Sequence, residues 1–259
     1  MALSLSLSFG AVACEDLSPG PQGRVTEVVD GDTVMLEDGL AVRMIGTQAP
    51  KLPLGREGFE AWPLAGEAKA ELSELVLGET VALGYGGERR DRYDRALAHV
   101  FVLDDAGDVT AWAQEHMVAN GLARVYSFPD NRRCLELLFA AERQARADRL
   151  GIWSHPYYSL RDAARPETIL AHLGGYELVE GRVLAAEAVG ERVFLNFGRN
   201  FRTDFTIVVE RAARRLFADD GIDLLRLENA LVRVRGWVDE RDGPRIEVTH
   251  PEQIEVLSF

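Results

Sequence analysis

Asp30-Gly31-Asp32-Thr33 sets two carboxylates on either side of a glycine. That spacing in a tight turn can aim oxygens at a hard cation, although Asp-Gly is also the commonest signal for a plain hairpin turn. Two further sites carry arginine: Arg43, and the cluster Asp91-Arg92-Tyr93-Asp94-Arg95. A guanidinium offers a planar fork to a phosphate, yet each arginine taken alone reads as a solvated strand residue. Only their convergence would make a site.

The elements that would have to bring them together are legible in outline. Val25, Val28, Val34, Leu36, Val42 and Met44 stand among polar residues, with turns at Asp30-Gly31-Asp32 and Asp38-Gly39, as in a strand meander. Leu64 to Leu77 carries apolar residues at helical spacing and stops at Gly78. Strands are expected over Thr80 to Leu83 and Leu97 to Leu103. A short helix should follow over Val109 to Asn120, and a longer one from a cap at Asp130 or Asn131 to about Arg149. Cys134, Leu138, Ala141 and Ala145 fall on one stripe of that helix, so Cys134 reads as a core thiol.

Taken in order, these pieces resemble the staphylococcal nuclease-like (thermonuclease) family. The resemblance runs from about Gly23 to Trp153. It passes through Val29-Asp30-Gly31-Asp32-Thr33-Val34, Val42-Arg43-Met44-Ile45-Gly46, Ala49-Pro50, and Asp91-Arg92-Tyr93-Asp94-Arg95-Ala96-Leu97-Ala98. Asn120-Gly121-Leu122-Ala123-Arg124-Val125 and Gly151-Ile152-Trp153 close it. It implies a five-stranded OB-type barrel packed by three helices, a mainly β, α+β fold. It also implies a calcium ion held by two aspartates, a glutamate that activates or positions water, and two arginines that grip the phosphate. A metal with two guanidinium forks neutralises the charge of a five-coordinate phosphorus. Residue by residue, Asp32 falls at the first metal aspartate and Asp30 at its neighbour. Arg43 and Arg95 fall at the phosphate-binding arginines. Tyr126 and Phe128 lie where the family places aromatics near the bound base, where stacking or core packing would serve.

The chain departs from the pattern at two acids. Where the family commonly reads Ile-Asp-Ala-Pro-Glu, this sequence reads Thr47-Gln48-Ala49-Pro50-Lys51. Gln48 stands at the second metal aspartate and offers only a neutral carbonyl to calcium. Lys51 stands at the general base, and an ammonium with a pKa near about 10.4 accepts no proton at neutral pH. Asp32, Gln48 and Lys51 together carry no net charge, so a metal loses most of its attraction while an anion gains some. Phosphodiester binding with possible hydrolysis is one expectation; either calcium or no cofactor fits it. For hydrolysis, either Glu57 or Glu60 would supply a new base, or Lys51 would supply the positive charge of the metal while Asp32 or Asp30 activates water. The other expectation is a non-catalytic envelope scaffold, a protein-interaction module built on the nuclease fold, with a protein partner contacted through the C-terminal barrel.

Forty-two acids against 29 bases leave the chain at −13, which excludes wholesale attraction to nucleic acid but not a local basic site. Only Lys51 and Lys69 among the bases are lysine. Residues 1–13 are uncharged and apolar and end on Ala11-Val12-Ala13, as in a signal peptide. A cleaved or Cys14-lipidated chain would be periplasmic, secreted or otherwise extracellular. No later run is apolar enough for a transmembrane helix. Two cysteines make neither a disulfide framework nor a zinc site by themselves.

The domain reading is an N-terminal segment and linker over 1–19, a nuclease-like domain over 20–160, and a second, smaller OB-like barrel over 170–259. The polar stretch Arg161 to Glu167 marks the boundary. Gly23-Arg24-Val25 and the Gly31 to Leu36 stretch overlay Gly181-Arg182-Val183 and Gly190 to Leu195 as a weak repeat. The second barrel lacks paired aspartates. Arg199, Arg202, Arg233 and Arg235 are its candidates for a ligand-binding strand face. The four tryptophans read as packing residues. Of the scattered histidines only His99, beside the Arg95 strand, draws notice. Oligosaccharide binding by an OB pair has no motif in its favour.

Overall fold

The computed structural model describes Cys14 and residues 16–259; the expected signal segment at 1–13 lies outside them. The chain divides into a first unit ending at His155 and a second unit, Pro156–Phe259.

The first unit contains β1 (Ser18–Asp30), β2 (Thr33–Leu36), β3 (Ala41–Met44), β4 (Gly46–Gln48), α1 (Ala65–Val76), β5 (Thr80–Tyr85), β6 (Ala96–Leu103), β7 (Val109–Trp112), α2 (Ala113–Ala119), β8 (Arg124–Tyr126) and α3 (Leu135–Ala147). Antiparallel pairs join β1 to β2 and β2 to β3. β3 then runs parallel to β6, β6 pairs with β5, and β5 returns to β1. Five strands thus close on themselves in the order expected of an OB-type barrel. Its interior holds Val25, Val28, Val34, Leu36, Val42 and Met44, the alternating residues of the meander. α1 turns Ala65, Ala68, Leu72 and Val76 inward. Leu72 is fully buried, and its truncation to alanine would cost about 3 kcal/mol.

Three local expectations need correction. Val109–Trp112 is a strand that pairs with β6, and only Ala113–Ala119 is helical. The third helix starts at Leu135, with Cys134 in the left-handed region (φ 61°) before it, so neither Asp130 nor Asn131 caps it. Cys134 is also not a free core thiol: it is disulfide-bonded to Cys14, 120 residues away, with Cα atoms 5.5 Å apart. The bond occupies the Cys14 sulfur that lipidation would need. Two isolated cysteines carry no pairing signal in sequence; only the fold brings them together.

The second unit contains β9 (Arg161–Asp162), α4 (Pro166–Leu170), β10 (Tyr176–Arg182), β11 (Ala185–Val189), β12 (Arg192–Asn196), β13 (Thr206–Val209), α5 (Arg211–Asp219), β14 (Leu231–Glu240), β15 (Pro244–Val248) and β16 (Ile254–Ser258). β11 pairs with β12 and β12 with β13; β13 runs parallel to β15; β15 pairs with β14 and β14 with β10. With β10 and β11 as halves of one bent strand, this path repeats that of the first barrel and is consistent with a second OB-like domain. The stretch Arg161 to Glu167 is part of this unit, because β9 lies parallel to β10. Arg233 and Arg235 do not form a ligand face. Arg235 is buried and pairs with Glu255 at 2.6 Å, while Arg233 pairs with Glu180 at 2.9 Å. Nor is Trp237 a packing residue throughout; it is about half exposed.

Candidate phosphate site on the first barrel

The turn between β1 and β2 carries Asp30, Gly31 and Asp32. A Cβ on Gly31 would lie 2.6 Å from that of Ala49 and 2.8 Å from that of Ala68. Glycine is therefore what lets the turn press against α1 and the Gln48–Pro50 segment, which buries both aspartates. Arg43 enters from β3, where it pairs with Thr33 on one side and with Leu97 of β6 on the other.

Lys51 closes the cluster. Its Nζ donates to Asp32 Oδ1 at 2.7 Å and Oδ2 at 2.6 Å, and it reaches Asp30 Oδ2 at 3.5 Å. Asp32 Oδ2 also accepts from Ala49 N at 2.8 Å and faces Arg43 Nη2 at 3.3 Å. The Asp32 backbone N–H donates to Asp30 Oδ1 at 3.1 Å. Arg43 is held by carbonyls as well: Nη2 donates to Thr47 O at 2.7 Å, and Nη1 donates to Met44 O. When ionised, the two acids and two bases cancel.

Burial works to raise both carboxyl pKa values. At Asp32 the charges of Arg43 and Lys51 and the hydrogen bonds from Lys51 and Ala49 overcome it, and the carboxyl is held well below the usual range. At Asp30 burial and the neighbouring Asp32 charge outweigh Lys51 and Arg43, so its pKa goes up.

Calcium, the ion that the resemblance implies, can be tested against these atoms. It takes six to eight oxygens. Both Asp32 oxygens face the Lys51 ammonium. Gln48 Oε1 accepts from Arg124 Nε at 3.0 Å and Nη2 at 2.7 Å, because antiparallel pairing of β4 with β8 sets the two residues opposite each other. With a cation already on the carboxylate and the glutamine carbonyl satisfied, the donor set does not fit a divalent ion. Nor do the alternative bases join it: Glu57 and Glu60 are exposed on the loop before α1.

Arg95 is not among these contacts. It sits one residue before β6, and its Nε and Nη2 meet Asp91 Oδ2 at 2.8 and 2.7 Å. Burial would raise the Asp91 pKa, but its bonds to Arg95 and to the Arg95 and Tyr93 backbone lower it. Tyr93 is largely exposed, with the Arg92 and Arg95 guanidinium groups 4.8 and 5.6 Å from its ring centre. Arg89, Arg90, Arg92 and Arg95 outnumber Glu88, Asp91 and Asp94 in this loop by one. Tyr126 and Phe128 meet edge to face at 4.9 Å, Tyr126 part-buried and Phe128 more open.

The sequence did not reveal the role of Arg124, and it singled out His99 without its surroundings. Arg124, quoted only as part of a motif, is the clamp on Gln48. His99 is buried with Nδ1 unbonded among the described residues, and its ligand nitrogen and the two disulfide sulfurs lie within 4.8 Å of one another. Burial lowers its pKa to about 4, so it stays neutral and takes no part in the charged cluster.

A family model described as staphylococcal nuclease homologue matches residues 41–155 and stops where the second unit begins. The thermonuclease of Staphylococcus intermedius is 30% identical over 132 residues, half of this chain and 74% of that protein. An uncharacterized endonuclease of Escherichia coli O157:H7 is 30% identical over 146 residues, 55% of this chain and 81% of its own. Endonuclease YncB of Bacillus subtilis is 31% identical over 137 residues, covering 60% of its length.

Proposed function

The chain belongs to the staphylococcal nuclease family, and on that premise we propose that its first barrel binds the phosphodiester backbone of nucleic acid without calcium and does not cut it as its relatives do. The observation that carries this reading is the Lys51 ammonium bonded to both oxygens of Asp32. It supplies in cis a positive charge where the family would bring a metal. It also leaves no proton acceptor at the family's base position.

Arg95 is the guanidinium for the phosphate. Its Nε and Nη2 both hold Asp91 Oδ2, and that contact can be exchanged for a bidentate hold on a phosphate, so the charge stays paired throughout. Arg89, Arg90 and Arg92 would extend the contact along the backbone, and Tyr93, with Tyr126 and Phe128, offers faces for unpaired bases. Arg43 serves mainly to hold Asp32 and the β3–β4 corner. An exported chain in an oxidising compartment, periplasmic or extracellular, fits the Cys14–Cys134 bond.

The test is binding and cutting measured together on single- and double-stranded DNA, in chelator and in calcium. Binding that survives chelation, weakens about tenfold in Arg95→Ala and produces no calcium-dependent fragments is the expected result. Calcium-dependent cutting by the parent chain, or unchanged binding in Arg95→Ala, would overturn the reading.

A further inference from the structure

Three side chains able to hold a soft metal meet on the first barrel, none of them part of the Asp32–Lys51 cluster: His99, Cys14 and Cys134. Strand alternation places the first. On β6, Ala98 and Val100 belong to the barrel core, so His99 between them points to the outer side. Opposite it on β5 is Gly84. A Cβ there would lie 2.7 Å from Leu17 Cδ1, so glycine is what lets the chain before β1 close over this face. That closure brings Cys14 to Cys134, the residue before α3. Two cysteines do not make a zinc site by themselves; the fold adds an imidazole.

Two observations point to an occupant. One His99 ring nitrogen and the two sulfurs lie within 4.8 Å of one another. The imidazole is 1% exposed, with its ring edge-on to Trp112 at 5.4 Å, and Nδ1 has no hydrogen-bond partner among the described residues. A buried polar atom without a partner costs free energy, and the disulfide does nothing to satisfy this one. A tetrahedral ion about 2.3 Å from each sulfur would hold the sulfurs about 3.8 Å apart. With Cα atoms 5.5 Å apart, rotation of the two cysteine side chains is enough to reach that spacing once the bond is open. Two thiolates and an imidazole select zinc over calcium or magnesium, and they leave a fourth position for water. Cys134 is only part-buried, which gives the ion a way in.

We propose that the reduced chain binds a zinc ion through the Cys14 and Cys134 thiolates and the His99 imidazole, so that disulfide and metal are alternative states of one cluster. A dithiol supplies the two electrons. One of its thiolates attacks a cysteine sulfur, the S–S bond breaks and the other cysteine leaves as thiolate. The second thiol of the reductant then closes a disulfide on itself and frees the first cysteine. Zinc takes both cysteines as thiolates, and their two protons pass to solvent. Bound zinc keeps the thiols from reoxidising, and the disulfide keeps zinc out. The site does not depend on whether the Asp32–Lys51 cluster binds or cuts.

The test uses the full chain, reduced with dithiothreitol and freed of it by anaerobic gel filtration, then titrated with Zn2+ and with Co2+ as a coloured stand-in. The oxidised parent is the control for ions held by surface acids. The reduced parent should take up one more equivalent of zinc than the oxidised chain. With cobalt it should show thiolate charge-transfer absorption and the strong visible bands of a tetrahedral site. Zinc at a hundredfold excess over its Kd should raise the melting temperature of the reduced chain by about 5 °C or more. Circular dichroism follows the fold; zinc that refolds an unfolded reduced chain supports the proposal as much as zinc that raises its melt. His99→Gln should weaken zinc binding about tenfold or more, and matching melts of the oxidised chains check that it folds. Cys14→Ser, which removes a ligand without altering β6, should lose the extra equivalent. Equal zinc uptake by reduced and oxidised parent, or unchanged zinc affinity in His99→Gln, would overturn the proposal.

Discussion

Lys51 Nζ lies 2.6 and 2.7 Å from the two carboxylate oxygens of Asp32, a residue wholly out of contact with water. The ion pair is therefore part of the fold as much as of any binding site. Removing one partner of such a pair strands the other charge in a low-dielectric interior. Lys51→Met, which keeps the length of the side chain, is expected to lower stability by about 3 kcal/mol, since only Arg43 would then balance Asp32. Urea unfolding measures this directly. A loss below about 0.5 kcal/mol, the level of an exposed pair, would mean that the contact is not maintained in solution.

The pH dependence has a definite sign. Asp32 is held below its ordinary value of 3.8, so its ionised form stabilises the fold above that pH, and the contribution is lost as pH falls through the folded value. Asp30 is shifted upward. Its contribution is complete below 3.8 and is lost as pH rises through its folded pKa. Protonation of Asp30 also leaves the cluster with one net positive charge, so anion binding should strengthen toward acid pH. Stability curves from pH 3 to 8 should show a flatter acid limb in Lys51→Met, because Asp32 loses much of its downward shift. Parallel curves for parent and variant would contradict this.

Asp91 competes with phosphate for Arg95. Asp91→Asn keeps an oxygen to accept from the Tyr93 and Arg95 backbone N–H groups but removes the charge. Release of the guanidinium should raise affinity for DNA several-fold, read by anisotropy at fixed salt. A fall in affinity would show that the Asp91 contact orients Arg95 for binding instead of holding it back.

The barrel path was readable because core valines alternate along the meander and the turn residues are explicit. Val25 to Met44 and the α1 stripe needed no tertiary information. The four charged side chains of the cluster could be named from order along the chain. Their pairing could not. That Lys51 reaches Asp32, that Gln48 faces Arg124 and that Arg95 turns to Asp91 depend on strand register and on which donor is nearest in space. The Cys14–Cys134 bond was hidden for the same reason: a helical stripe makes Cys134 look like core, and nothing local marks a partner 120 residues away.

That bond yields a further expectation. Closing a loop of this length removes unfolded-state entropy worth roughly 4–5 kcal/mol in the chain-entropy model. Reduction, or Cys134→Ser, should lower the melting temperature of the first barrel by roughly 10 °C. A melt unchanged by reductant would indicate that the bond contributes nothing to the folded state.

On the proposed reading, Lys51 stands beside Asp32 in place of the metal that the family resemblance implies. The most direct test is calcium titration of the Gln48→Asp/Lys51→Glu double variant beside the parent, read by thermal shift and by cutting of single-stranded DNA. The parent should show no calcium-dependent shift and no fragments. The variant should be less stable without calcium, regain stability as calcium is added, and cut. A calcium response equal in both chains, or a variant that gains neither stabilisation nor cutting, would show that Lys51 does not take the place of a metal.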